Sequence, residues 1–305
     1  MKNNAGIFYH CYQRPIDRGV IFYTVSDHLL YFTVMCIRAA RYSVKICKCV
    51  QMPDHLHHSV IEKECGHLSS FIQDVSSTFT REYNRVHGRK GPMFDTPFGR
   101  APKRTDKSIR TNLTYLDNNP VERQLVAMAE EYRWNYLAYA LSNHPFSEKI
   151  VLRKASMPLR RALKMVQIQH KKGRYLTGTL LRKMFDSLPC KRECEQLTDY
   201  IISTYSVIDH EAAISFFQSY GNELITAHAN TGNEHDIKEH FVGRSDVCYN
   251  KMTQILLKTG RVGDIHELYI MSEEEKWRVF NFLRARINAP ARQIAAFLHL
   301  PQKLV

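Results

Sequence analysis

Apolar and polar side chains alternate from residue 6 to residue 13, with Ile7, Tyr9 and Cys11 on one side, the period of two expected of a strand. Residues 14–18 are polar and contain Pro15, with Gly19 after them, so they read as a turn before 20–24 resume the apolar run. Residues 27–41 carry Leu30, Phe32, Val34 and Ile37 partly on one side of a helix, apolar enough to require packing against a sheet. Two β-prone runs follow, 44–50 and 55–61, and then 67–86, where Leu68, Phe71, Ile72, Val75 and Phe79 recur at helical spacing. A strand-like stretch, 98–103, precedes a helix whose N-cap is Asp106 and whose Ile109, Leu113 and Leu116 share a side; Pro120 marks where it ends or turns. This order predicts an α+β domain, an antiparallel sheet covered by helices, compatible with a ferredoxin-like or RNA-recognition-like layout. Periodicity alone leaves the strand order open.

After a polar stretch at 142–147, with His144 and Pro145, the pattern changes to helices with little strand signal: 157–169, 179–185, 194–205, 210–220, 247–257 and 273–287. Residues 227–233 read as a polar loop. A chain of 305 residues exceeds the usual single-domain size, so two domains are expected, 1–141 and an all-α 142–305. The run Ala291-Arg292-Gln293-Ile294-Ala295-Ala296-Phe297-Leu298-His299-Leu300 resembles the first helix of a helix-turn-helix. Its recognition helix would start after Pro301, and with the sequence ending at Val305 the motif reads as a remnant. The longest apolar stretch, 29–37, is too short to span a bilayer, and no apolar signal core follows Met1-Lys2-Asn3-Asn4.

Charge changes the picture more than composition does. With 44% hydrophobic and 24% charged residues the chain reads as globular, but a formal net charge of +13 points to a polyanionic partner, nucleic acid first. Between 81 and 110, Arg81, Arg85, Arg89, Lys90, Arg100, Lys103, Arg104, Lys107 and Arg110 outnumber the acids, with Phe94 and Phe98 among them. That mixture can track a phosphate backbone while offering rings for bases to stack on; the plainer alternative is a solvated helix face and a polar loop. The eight cysteines are scattered without zinc-ribbon spacing, which fits core and surface thiols in a reducing cytoplasm. Glu234, His235, Glu239 and His240 invite a metal reading but show no clear third-ligand spacing, and an exposed polar helix explains them better.

The candidate chemistry lies in Met52-Pro53-Asp54-His55-Leu56-His57-His58. On a strand, His55 and His57 project from the same face and can hold one metal ion while Leu56 points to the other side. A His-x-His pair alone also arises by chance. A second stretch, Tyr115-Leu116-Asp117-Asn118-Asn119-Pro120-Val121, adds a phenol and an amide that share one helix face at i and i+4. Among the tyrosines Tyr83, Tyr115, Tyr132, Tyr136 and Tyr139, only Tyr115 shares a turn of a predicted helix with an amide that could be the third ligand.

These motifs, in this order and with Tyr132-Arg133-Trp134-Asn135-Tyr136 after them, resemble the REP-associated tyrosine transposases, within the single-tyrosine branch of the HUH nucleases. The resemblance covers roughly the first half of the chain. It departs at Asp54, where the family has Asn, at His58, where it has a large apolar residue, and at Glu122 and Arg123, where it has Arg and Ala. What it implies is a transposase-type endonuclease and strand transferase acting on single-stranded, hairpin-flanked or palindromic DNA. Tyr115 would be the nucleophile, forming a covalent 5′-phosphotyrosine, with His55, His57 and Asn119 as ligands of a divalent ion. Imidazoles alone suit zinc, whereas an oxygen ligand and a phosphate substrate favour magnesium or manganese. No nucleotide cofactor is expected, since no Walker A sequence is present. A cytoplasmic, nucleoid-associated location and no membrane partner go with this reading, and the resemblance also allows a homodimer that shares tyrosine helices. Two alternatives stay open at this level: a domesticated hairpin-binding protein that does not cut, and a zinc-dependent hydrolase using the same histidines.

Overall fold

In a computed structural model that describes residues 6–229 and 245–301, the first part of the chain builds one sheet and a cover on each face. The elements follow as β1 (Ile7–Gln13), α1 (Val25–Ala39), β2 (Val44–Met52), β3 (His55–Glu62), α2 (His67–His87), β4 (Gly99–Lys103) and α3 (Asp106–Glu122). The sheet is antiparallel throughout, in the order β2-β3-β1-β4. That is the ferredoxin-like arrangement. β2 and β3 form a hairpin whose two-residue turn is Pro53-Asp54, with Met52 paired to His55. The segment 20–24 is not a strand of this sheet; Ile21 and Phe22 donate their N–H groups to Pro53 O at 2.8 and 3.1 Å, tying it to the hairpin tip.

Strand alternation sorts the side chains between the covers. Cys11, Ile46, Cys49, Leu56 and Val60 face α1 and α2, in a cluster with Leu30, Phe32, Phe71, Val75 and Phe79. Phe8 and Cys47 pack against Ile109 and Leu113 of α3, and Val50 and Met52 against Tyr115 and Leu116, on the opposite face. A bulge makes this possible in β2: the ladder passes from Ile46 opposite Val60 to Lys48 opposite Ser59, so Cys47 and Lys48 both turn towards α3. Capping boxes start α1 at Thr24–Asp27 and α3 at Thr105–Ser108. α3 runs through Pro120 to Glu122 instead of ending at the proline.

At one position β1 and β4 leave no space for a side chain. A Cβ on Gly99 would fall 2.0 Å from Cζ of Tyr12, the residue it opposes in the ladder. Gly99→Ala is therefore expected to lower stability by about 1–3 kcal/mol, the usual cost of overpacking, measurable as an earlier urea midpoint at unchanged slope.

The first hydrophobic cluster continues across residue 141 without a break. α4 (Met157–Lys171), α5 (Gly178–Asp186) and α6 (Lys191–Tyr205) bring Leu163, Val166, Leu181, Ile201 and Ile202 into the same cluster as α1 and α2. The 142–147 stretch is pinned to α6, with Ser203 donating to Asn143 O and Phe146 N to Asp199 Oδ2. The chain then passes the edge of β2, where Asp209 N donates to Ile46 O, and crosses to the other face. There the expected 210–220 helix divides into α7 (His210–Ile214) and α8 (Tyr220–Ala229), which lie beside α3.

A second cluster unites α9 (Val247–Lys258), α10 (Glu273–Arg284) and α11 (Ala291–Phe297) around Met252, Leu268, Phe280 and Phe297, with Val20 as its link to the sheet domain. α11 buries Gln293, Ile294, Ala295, Ala296 and Phe297, so its alanines serve close packing. The recognition helix expected after Pro301 and the group Glu234, His235, Glu239 and His240 lie outside the described residues. All eight cysteines are free thiols. Among the described residues, no helix is long and apolar enough to cross a membrane.

Candidate functional site

His55 and His57 leave β3 on the face covered by α3, and Tyr115 and Asn119 leave α3 towards them. Ring centroids of His55 and His57 are 4.8 Å apart with planes at 86°, and the Tyr115 ring lies 5.6 Å from that of His57. Asn119 Nδ2 is 3.3 Å from His57 Nε2. The i, i+4 spacing on α3 and the i, i+2 spacing on β3 thus bring the four expected residues into one buried group.

Hydrogen bonds decide which nitrogen each imidazole presents. His55 Nδ1 donates to Asp54 Oδ1 at 2.6 Å, leaving Nε2 as the lone-pair nitrogen; it is buried with no hydrogen-bond partner. An amide nitrogen can only donate, so His57 Nε2 accepts from Asn119, and Nδ1 carries the proton that His10 Nε2 accepts at 3.0 Å. Burial, followed by the unfavourable electrostatics of His55, His10 and Arg14 around it, holds His57 well below the ordinary imidazole value, so the ring stays neutral, with an Nε2 lone pair that accepts from Asn119. Asn119 Oδ1 is also buried without a hydrogen-bond partner. Two neutral imidazoles and an orphaned amide oxygen in one group are a donor set that could hold a divalent cation, so the residues present fit the ion expected of them.

Two buried residues on this face of the sheet, His10 within the group and Lys48 beside α3, were not singled out by sequence reasoning. His10 lies on the face of β1 opposite to Tyr9 and Cys11, with its ring 5.1 Å from His57 and 5.9 Å from Tyr115. The alternation along β1 was the signal that could have found it. Lys48 reaches this side only through the bulge, which no periodicity announces. It is buried between Asp117 Oδ1 at 2.5 Å and Glu223 Oε1 at 2.8 Å, and so ties α3 and α8 to β2.

The remaining tyrosines have structural employment. Tyr83 donates to Ile21 O, Tyr132 to Gln51 O and Tyr139 to Asp199, while Tyr136 Oη accepts from Gln51 Nε2. Trp134 stacks on His28 at 4.1 Å, so the 132–136 motif clasps the end of β2 and the start of α1.

The basic residues do not form one continuous strip. Arg81 and Arg85 belong to α2, and Arg100 lies near Ser69 of the same helix and over the Tyr9 ring, all on the side away from α3. Arg104, Lys107 and Arg110 surround the start of α3 and are exposed. Lys90 is exposed, whereas Arg89 spends its guanidinium on Asn84 Oδ1, Gly91 O and Pro92 O, and Arg85 is paired with Glu82. Lys103 is only 5% exposed, its side chain turned inward where the last residue of β4 faces Phe8 of β1. It is therefore not part of an exposed basic track.

No protein-family model matches the chain, and no curated protein does. Among solved structures, the chain is similar to a REP-associated tyrosine transposase bound to a REP hairpin, at 16% identity and a TM-score of 0.37, over 48% of this chain and 88% of that one.

Proposed function

We propose that this protein is a metal-dependent single-stranded DNA endonuclease and strand transferase of the tyrosine-transposase type. The observation that carries the reading is the convergence of Tyr115 and Asn119, one turn apart on α3, upon the His55–His57 pair of β3. His55 Nε2, His57 Nε2 and Asn119 Oδ1 would hold the ion, magnesium or manganese in preference to zinc because a carboxamide oxygen and a phosphate would share it. Bound there, a divalent cation supplies Lewis-acid polarisation of the scissile phosphate and favours ionisation of a phenol whose ordinary pKa is near 10.

Tyr115 Oη attacks phosphorus, forming the Tyr115 O–P bond as the P–O3′ bond breaks. The leaving 3′ oxygen takes up a proton, and a 5′-phosphotyrosine remains on the protein. The link keeps the phosphodiester's energy, so a 3′-hydroxyl can later reverse the step without ATP. Asp54 acts through His55 and His10 through His57, each holding a ring by its Nδ1 so that Nε2 is the nitrogen that would meet an ion. Arg104, Lys107 and Arg110, exposed at the start of α3, would receive a phosphate backbone approaching Tyr115. DNA with a hairpin or palindromic repeat is the proposed substrate, and a cytoplasmic, nucleoid-associated location goes with it.

The test is incubation with labelled single-stranded hairpin DNA and manganese, followed by denaturing electrophoresis. A slowed, protein-linked band that requires His55 and His57 supports the reading; cleavage with no such band points to hydrolysis by water. Two smaller effects follow. Asp54→Ala is expected to weaken manganese binding by about 10- to 100-fold, read by calorimetry, with little change in fold. Tyr115 is only 3% exposed, so α3 or the segments over it must move to admit a phosphate. Amide exchange in α3 should accordingly rise when hairpin DNA is added, whereas DNA binding that leaves α3 equally protected would speak against access by this route.

A further inference from the structure

On the other side of the sheet, away from Tyr115, three ligand-bearing side chains meet where the C-terminal cluster joins the sheet domain. Asp27 comes from the first turn of α1, His87 is the last residue of α2, and His266 lies on the short 3-10 turn Ile265–Tyr269. Asp27 Oδ2 is 2.9 Å from His266 Nε2, and Asp27 Oδ1 is 3.4 Å from His87 Nε2. The two imidazoles stack face to face with centroids 3.6 Å apart, and one ligand atom from each of the three residues lies within 4.8 Å of the others. From these observations we infer a second metal site, in which Asp27, His87 and His266 bind one zinc ion.

A simple ion pair does not account for the group. One carboxylate and one imidazolium would satisfy each other, yet here a second imidazole is held face-on against the first and aims its Nε2 at the same carboxylate. His87 Nδ1 is buried with no hydrogen-bond partner, so the ring is not held there by hydrogen bonding on both sides. Zinc at about 2.0–2.2 Å from nitrogen and oxygen ligands in a tetrahedron keeps them about 3.3 Å apart. The 2.9 and 3.4 Å separations around Asp27 are close to that spacing.

The surroundings complete the design of a histidine–carboxylate zinc site. Asp264 Oδ1 accepts from His266 Nδ1 at 2.8 Å, which fixes the ring with Nε2 towards Asp27. Asp27 Oδ2 accepts the Tyr23 and Thr24 N–H groups at 3.0 and 2.9 Å, so the carboxylate cannot swing away. Both ring nitrogens of His266 face carboxylate oxygens in the metal-free protein, so both carry protons. Zinc takes the place of the proton between His266 Nε2 and Asp27, and that proton leaves to solvent. Three protein ligands leave one coordination position for water. The three ligands line one cavity of about 260 Å³ together with Thr24, Arg182 and Asp186, which is where such a water would be reached. Bound in this way, zinc clamps the C-terminal cluster to the ends of α1 and α2.

The site is tested by titrating the full chain, stripped of metal, with Zn²⁺ against a chromogenic chelator. The His55→Ala/His57→Ala variant is expected to keep one tight equivalent, whatever becomes of the DNA reading. In His87→Gln that equivalent should weaken at least 100-fold, and in Asp264→Asn, which leaves every ligand in place, by about 10- to 100-fold. Zinc-edge absorption of the loaded His55→Ala/His57→Ala protein should show two imidazoles and oxygen donors. Binding that vanishes in His55→Ala/His57→Ala, or that is unchanged in His87→Gln and Asp264→Asn, would overturn the proposal.

Discussion

Tyr115→Phe is expected to abolish the covalent DNA–protein species and to lower strand cleavage by about 10⁴-fold or more, the scale found when a nucleophile is removed. The substitution deletes one oxygen from a ring that stays packed against Val50, Met52 and Leu116, so the fold should be retained. Hairpin DNA binding should change by no more than about threefold, because the phosphate contacts proposed for the exposed basic residues would not involve the phenol. The combination is what discriminates. A domesticated binding protein would lose nothing in this variant, and a zinc hydrolase using water would continue to cut.

The largest effect on stability is expected at Lys48. Its ammonium is buried with the carboxylates of Asp117 and Glu223, none of them more than 5% exposed. Burial works against the charged ammonium, but the two carboxylates outweigh it and hold Lys48 above its ordinary value. One cation cannot neutralise two buried acids, and burial holds Asp117 well above the carboxylate range despite Lys48. Lys48→Met removes the cation and leaves the acids, which should destabilise the protein by about 3–5 kcal/mol at neutral pH. The sign of the pH dependence follows from the raised Asp117. A folded-state pKa above the unfolded one gives stability that is full below about 3.9 and falls as pH rises through the folded value. The deficit of Lys48→Met relative to the parent should therefore shrink on acidification towards pH 4. Urea denaturation of both proteins across that range checks it, and a deficit independent of pH would show that the lysine acts through packing alone.

Much of this architecture was legible because its signals are local. The strands and helices of the first part announce themselves by periods of two and of three to four. The two halves of the candidate site could be read separately as i, i+2 on a strand and i, i+4 on a helix, although neither spacing says that α3 covers the face bearing His55 and His57. The sheet order supplied that. What stayed hidden depended on non-local geometry. The bulge at Cys47 turns Lys48 towards Asp117, and a bulge leaves the hydrophobic pattern nearly intact. His10 becomes a partner of His57 only through the β1–β3 register. The 20–24 stretch is apolar enough for a strand, yet it is bonded to a hairpin tip and covered by the C-terminal cluster. The basic residues between 81 and 110 are continuous in sequence but divided in space, since α2 and α3 lie on opposite faces of the sheet. Asp27, His87 and His266 meet from three distant parts of the chain, and no spacing could have suggested them.

The most direct measurement is tandem mass spectrometry of the trapped DNA adduct after nuclease and trypsin digestion. A nucleotide joined through its 5′-phosphate to Tyr115, within the tryptic peptide 111–123, is the predicted result. A nucleotide on any other residue, or cut DNA with no modified peptide at all, would contradict the assignment of the phenol that meets the histidine pair.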